Sequence, residues 1–246
     1  MKPVRVSLKV CRTVLHLLRG GWIIWRHFPA LPAAQRERHV HVWAGQMLQI
    51  FGIRLVRQGQ DLAPGPVLLV ANHISWLDIL VMHASGYCRF ISKADVKRWP
   101  LIGMLADGAG TLFIERESRR DAHRVVHHMV ERLQAGDVLA VFPEGTTGDG
   151  HTLKPFHANL IQAAISAQVP VQPVALRFVD ARSGEISMAP RFIGDDTLLA
   201  SVLRTLGAEG LHAEVILGEP QHHAGRDRRT WAADLHASVM ALRQQG

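Results

Sequence analysis

The sequence predicts an α/β fold: a mixed sheet flanked by helices, with an N-terminal pair of amphipathic helices. Three observations carry that prediction. Short apolar runs bounded by Gly and Pro, such as residues 67–70 and 138–142, alternate with longer segments whose apolar positions recur every three or four residues. The 246 residues suffice for one large domain with a sizeable core and do not demand two. No polar low-complexity tract, internal repeat or linker breaks the chain. The division expected is therefore an N-terminal membrane-docking segment, 1–52, followed by the body of the protein, 53–246.

Taken in order, residues 4–19 place Arg5, Lys9, Arg12, His16 and Arg19 within an arc of roughly 80° at 100° per residue, with Val6, Val10, Val14, Leu15, Leu17 and Leu18 on the remainder. This predicts a basic amphipathic helix ending at Gly20-Gly21. Its charges and length exclude a bilayer span, which takes about 20 mostly apolar residues. A cleaved signal peptide is excluded by Arg12 and Arg19, which interrupt the apolar region. Two placements fit: a helix in the headgroup region of an anionic leaflet with Trp22 and Trp25 at the interface, which we favour, or one packed on the core with a solvated basic face. Val40, Trp43, Ala44, Met47, Leu48 and Phe51 predict a second helix ending at Gly52. It either completes a docking hairpin or packs on the core.

Strands are expected at 54–57, 66–70, 87–92, 111–115, 138–142, 171–178, 185–188 and 212–217. Helices are expected at 78–85, from Ser118 to about Gln134, and at 156–167, 195–206 and 226–244. Ser118-x-x-Asp121 resembles the start of a capping box. Leu101, Ile102, Met104 and Leu105 look apolar enough to line a groove.

Composition narrows the partners. A net charge of +7 favours anionic ones, yet no nucleic-acid motif appears and a single Tyr leaves little for base stacking. We expect no nucleic-acid partner. Cys11 and Cys88 form no C-x-x-C pair and are read as free thiols of a reducing compartment. His123, His127 and His128 share a helix but lack zinc spacing with other ligands, so no metal is expected.

The chemistry is expected at Ala71-Asn72-His73-Ile74-Ser75-Trp76-Leu77-Asp78. A buried strand ends just before it, and open α/β sheets bind ligands at the carboxyl ends of strands. His73 can take a proton near neutral pH, and Asp78 is placed to orient it if the chain turns into a helix between them. A turn or cap is the plainer reading of that pair alone. Arg116, after the strand at 111–115, could grip a phosphate or carboxylate bidentately, or pair with Glu115, Glu117 or Asp121. The glycine-rich loop Pro143-Glu144-Gly145-Thr146-Thr147-Gly148-Asp149-Gly150 lets backbone N–H groups approach a polar ligand, with Glu144 available to accept from hydroxyls.

Asn72-His73 with Asp78 resembles the His-x4-Asp signature of the glycerolipid acyltransferase family. Gly110-Thr111-Leu112-Phe113-Ile114-Glu115-Arg116, Phe142-Pro143-Glu144-Gly145-Thr146 and Val169-Pro170-Val171-Gln172-Pro173-Val174 resemble that family's later blocks, in its order, across about residues 50–180. The resemblance implies acyl transfer from acyl-CoA or acyl carrier protein to a lysolipid hydroxyl, most commonly that of 1-acyl-sn-glycerol-3-phosphate, giving phosphatidic acid. No cofactor is implied. His73 would be the base and Asp78 its orienting partner, with Asn72, Arg116, Glu144, Gly145 and Thr146 binding substrate. The absence of G-x-S-x-G agrees with a mechanism that needs no covalent nucleophile. The family has Arg where this chain has Thr147, which opens a lyso-ornithine lipid as the alternative acceptor. Less favoured alternatives are a non-catalytic membrane adaptor and an acyl thioesterase. The implied location is the cytoplasmic face of a membrane, peripheral or monotopic, on anionic lipid.

Overall fold

Each expected strand but one forms, and together they make a single mixed sheet. A computed structural model describes residues 2–114 and 119–245. The strands are β1 (Arg54–Gly59), β2 (Val67–Ala71), β3 (Arg89–Lys93), β4 (Leu112–Ile114), β5 (Val138–Val141), β6 (Val171–Asp180) and β7 (Leu211–Leu217). Their order across the sheet is β1-β7-β6-β2-β5-β3-β4. Only the β6–β7 pair is antiparallel. The expected strand at 185–188 does not form: Ile186 makes one isolated bridge to Val179. The segment is bracketed by Gly184, in the left-handed conformation (φ 72°), and by Pro190, which has no N–H to give a ladder.

The central strand β2 is buried on both faces, as its unbroken Val-Leu-Leu-Val-Ala run requires. Alternation along it divides the core in two. Val67, Leu69 and Ala71 face α2 (Ala33–Phe51) and α3 (Leu77–Ser85), while Leu68 and Val70 face α6 (Arg119–Gln134), α7 (Ala158–Ala167) and α9 (Arg228–Gln245). Ala44, Met47, Leu48 and Phe51 of α2 belong to the first of these cores. The second helix of the N-terminal pair is therefore part of the body, and packing crosses the division expected at residue 52. Gly52 ends it in the left-handed conformation (φ 75°), as a helix-terminating glycine does.

The first helix corrects the sequence reading in two ways. This helix, α1, runs from Lys2 to Arg26, straight through Gly20-Gly21. Those glycines are contact points rather than stops: a Cβ on Gly20 would lie 2.6 Å from Trp43 Nε1, and one on Gly21 would lie 2.9 Å from Leu101 Cδ1. The second correction concerns its faces. Lys9 Nζ donates to the carbonyls of Phe51 (2.6 Å) and Leu206 (3.0 Å), and His16 is buried, stacked on Trp43. Part of the basic stripe thus faces the protein, while Val4, Leu8, Leu15, Leu18, Trp22 and Trp25 are exposed, Trp25 to 72%. Leu101, expected in a groove, instead packs under this helix.

Candidate active site

The parallel register places the site before any side chain is considered. Val70 of β2 pairs with Val141 of β5, so His73 and Glu144, each three residues further on, leave the sheet side by side. The result is a hydrogen bond between residues 71 positions apart, from the His73 N–H to Glu144 Oε1 at 2.7 Å. The Gly148 N–H closes on the His73 carbonyl from the other side at 2.7 Å. Backbone on both sides of the imidazole is fixed by one loop.

The imidazole is oriented by Asp78. Its Oδ2 accepts from His73 Nδ1 (2.7 Å), the Ile74 N–H (2.6 Å) and the Ser75 N–H (3.0 Å). Asp78 is fully buried in the first turn of α3, where a helix N-terminus favours negative charge. Because a carboxylate oxygen only accepts, Nδ1 carries the proton and Nε2 carries the lone pair. The ring lies flat on Phe142, centroids 4.0 Å apart and planes 6° apart, and Phe142 in turn stacks on Phe90. His83 meets Phe90 edge-on behind them, where burial lowers its pKa to about 4 and keeps it neutral. The His73 ring therefore stands against an uncharged wall.

Two residues expected to bind substrate do something else. Asn72 is buried, donating through Nδ2 to the Leu176 carbonyl (3.0 Å) and accepting through Oδ1 from the Leu176 N–H (2.7 Å). It continues the β2–β6 ladder one step beyond the backbone pairing, with both its amide groups engaged by the Leu176 backbone. Glu144 is also buried, its second oxygen taken by the Lys154 N–H at 2.8 Å. Burial raises its carboxyl pKa, against the opposing pull of those two N–H groups. It ties the His73 turn to the following loop instead of reaching for a hydroxyl. Gly145 and Thr146 are exposed at the loop's outer edge, Gly145 with φ 73°. Arg116 lies outside the described residues, as does Ser118, on which the capping box rests. Of the clustered histidines, His127 and His128 both pair with Glu131 on the solvent side of α6.

A cleft of about 310 Å³ opens on the loop that follows Glu144, lined by Thr146, Thr147, Gly148, Asp149, Thr152, Lys154, Ile193 and Gly194. Sequence reasoning missed Phe142 as the stacking partner, Gly148 as the donor to His73, and Lys154 as a charge in the cleft. The Lys, seven positions after the anomalous Thr147, was the one signal available.

The Acyltransferase family model matches residues 54–177, half of the chain, and spans both halves of this site. The chain belongs to the glycerolipid acyltransferase family. Among its relatives, the lyso-ornithine lipid O-acyltransferase of Pseudomonas aeruginosa is 36% identical over 97% of this chain and 93% of its own length. The 1-acyl-sn-glycerol-3-phosphate acyltransferase of Neisseria meningitidis is 35% identical over 75% of this chain and 72% of its own. In fold, the acyltransferase is similar to the crystal structure of the 1-acyl-sn-glycerophosphate acyltransferase of Thermotoga maritima, with a TM-score of 0.71 at 18% identity, covering 99% of this chain and 98% of that one. The enzyme's α/β architecture and mixed sheet are those of its family.

Proposed function

We propose that this acyltransferase moves a fatty acyl group from a thioester carrier, acyl-CoA or acyl carrier protein, to the free hydroxyl of a lysolipid. The observation that carries the reading is the 2.7 Å contact between His73 Nδ1 and Asp78, which leaves Nε2 as the basic nitrogen. The acceptor hydroxyl donates to Nε2 and loses its proton there as its oxygen attacks the thioester carbonyl. The imidazolium that forms is stabilised by the Asp78 carboxylate. When the tetrahedral intermediate collapses, the C–S bond breaks and the departing thiolate takes the proton from Nε2. No covalent enzyme intermediate is involved, and the Ser75 hydroxyl, the one nearest in sequence, is buried and donates to the Pro190 carbonyl.

Two acceptors suit the family: 1-acyl-sn-glycerol-3-phosphate, yielding phosphatidic acid, and a lyso-ornithine lipid. What brings either within reach of a soluble fold is the exposed apolar stripe of α1. No helix among the described residues is long and apolar enough to cross a membrane. An interfacial helix with Leu8, Leu15, Leu18, Trp22 and Trp25 in the acyl boundary, and exposed Arg12, Arg19 and Arg26 among anionic headgroups, supports a peripheral enzyme on the cytoplasmic face, where thioester carriers are soluble.

The test is product formation from a C16 acyl-CoA, then from acyl carrier protein, on both acceptors. We expect an acylated lipid with wild type and a loss of about 10²- to 10⁴-fold in His73→Ala, the range general base catalysis supplies. Thermal unfolding and vesicle binding should be unchanged in the variant. Carrier hydrolysis independent of any acceptor would instead make the protein a thioesterase, and retained transfer in His73→Ala would remove the base assignment.

A further inference from the structure

The cleft beside His73 carries charge that the catalytic step does not use. Two of its lining residues are one hydrogen bond from the catalytic turn: Gly148 donates to the His73 carbonyl, and Lys154 donates through its backbone to Glu144, which holds the His73 N–H. A ligand here would sit against the loop that holds the backbone of the His73 turn. We propose that the cleft receives the acceptor's head group, and that it is built for a zwitterionic one, bearing a carboxylate and an ammonium, in preference to a phosphomonoester. This deepens the lysolipid reading above and rests on it.

The charged side chains lining the cleft are one of each sign, Lys154 and Asp149. Lys154 Nζ gives one hydrogen bond to the Thr147 carbonyl (2.8 Å), and an ammonium has two more donors to give. Asp149 Oδ1 accepts the His151 N–H (2.9 Å) and the Thr152 N–H (2.8 Å), while Oδ2 has no hydrogen bond among the described residues. Those two N–H groups also hold its carboxyl below the ordinary range, so it is anionic at neutral pH. The Thr147 hydroxyl is turned to the Phe192 carbonyl, so this position contributes neither a cation nor a free donor. Arg243 of α9 lies behind the same loop, where its guanidinium holds the Gly150 and His151 carbonyls.

A phosphomonoester brings a charge of about −1.5 to −2 and is best met by several donors, above all a bidentate guanidinium. Here it would meet one ammonium and, on the opposite account, a fixed carboxylate that repels it. A head group with one carboxylate and one ammonium satisfies both, its carboxylate on Lys154 and its ammonium on Asp149. The volume, near the lower end for small-ligand sites, suits a head group and leaves the acyl chain outside.

The experiment uses the full chain with lyso-ornithine lipid and 1-acyl-sn-glycerol-3-phosphate as acceptors, comparing kcat/KM for each. Asp149→Asn keeps the Oδ1 acceptor of the turn and removes the charge; Thr147→Arg adds a cation. Wild type should favour the zwitterion, and each variant should shift the ratio about tenfold toward the phosphate acceptor, as removing or reversing a local repulsion does. Lys154→Met should raise KM for both acceptors, since both present an anion. Retained turnover on the phosphate acceptor reports that a variant is folded. Calorimetric titration of wild type with a short-chain N-acylornithine and with glycerol 3-phosphate gives a check that no variant enters, the first being expected to bind tighter. A ratio unmoved in Asp149→Asn and Thr147→Arg, or tighter binding of glycerol 3-phosphate, overturns the head-group assignment and leaves lysolipid transfer standing. Wild type that acylates neither acceptor from either carrier overturns both.

Discussion

The His73 turn and the N-terminal helix relate sequence to surface in opposite ways. In the turn, polar groups point inward: Asn72, Asp78 and Glu144 are all buried, Asn72 and Glu144 holding backbone from elsewhere in the chain and Asp78 the N–H groups of its own turn. In α1, large apolar groups point outward, while Lys9 and His16 point in. The turn needs buried polarity because it must hold one ring in one orientation, and a buried polar group is tolerable only when it is bonded. On the proposed function, the helix exposes its apolar area to a lipid surface rather than to water. A polar pattern read as solvated, or an apolar one read as core, is thus misleading in both regions, for opposite reasons.

The sharpest way to break that contrast is to remove a buried polar group from the turn. Glu144→Ala deletes the acceptor for both the His73 and Lys154 N–H groups and leaves two donors unpaired. We expect kcat to fall by about 10²-fold with a smaller change in KM, because the imidazole is mispositioned while the cleft survives. Glu144→Gln keeps one acceptor oxygen and should recover part of the rate. If Glu144→Ala instead raises only the acceptor's KM, the side chain binds substrate after all and the positioning role is wrong.

The converse change belongs to the outward face. Trp22→Ala with Trp25→Ala removes the two largest exposed apolar groups of α1 and should weaken binding to anionic vesicles by roughly tenfold or more, by loss of buried apolar area. The melting temperature should hold within about 2 °C, since side chains this exposed contribute little to the fold. Flotation or fluorescence titration on vesicles of phosphatidylglycerol and phosphatidylethanolamine reads the first effect, and a thermal scan the second. A large drop in stability with unchanged vesicle binding would place the stripe against protein.

How much of this could be read from the chain follows from sequence separation. His73 and Asp78 are five residues apart, and a strand end followed by a helix start was enough to bring them together. Asn72 and Glu144 were found as residues but assigned the wrong work, because their partners lie 104 and 71 positions away and only the sheet register reveals them. Gly20 and Gly21 read as a helix stop by propensity, yet tertiary contact with Trp43 and Leu101 overrides that. Periodicity located the two faces of α1 but not which one meets the protein. A period fixes the angle between faces and says nothing of what lies opposite each.

The finest test of that last point compares two adjacent residues. Lys9 donates to the carbonyls that end α2 and α8 (Leu198–Gly207), and burial there lowers its pKa. Leu8, its neighbour, is 52% exposed. Lys9→Met keeps the aliphatic stem and leaves both carbonyls without that donor, which should cost about 1 kcal/mol of stability in urea titration and leave vesicle affinity nearly unchanged. Leu8→Ser should do the reverse, holding stability to within about 0.5 kcal/mol while weakening vesicle binding a few-fold. Opposite outcomes one residue apart are what an inward-turned Lys9 and an outward apolar stripe require. If Lys9→Met weakens vesicle binding without loss of stability, the basic face meets the membrane and α1 turns over in its lipid-bound state.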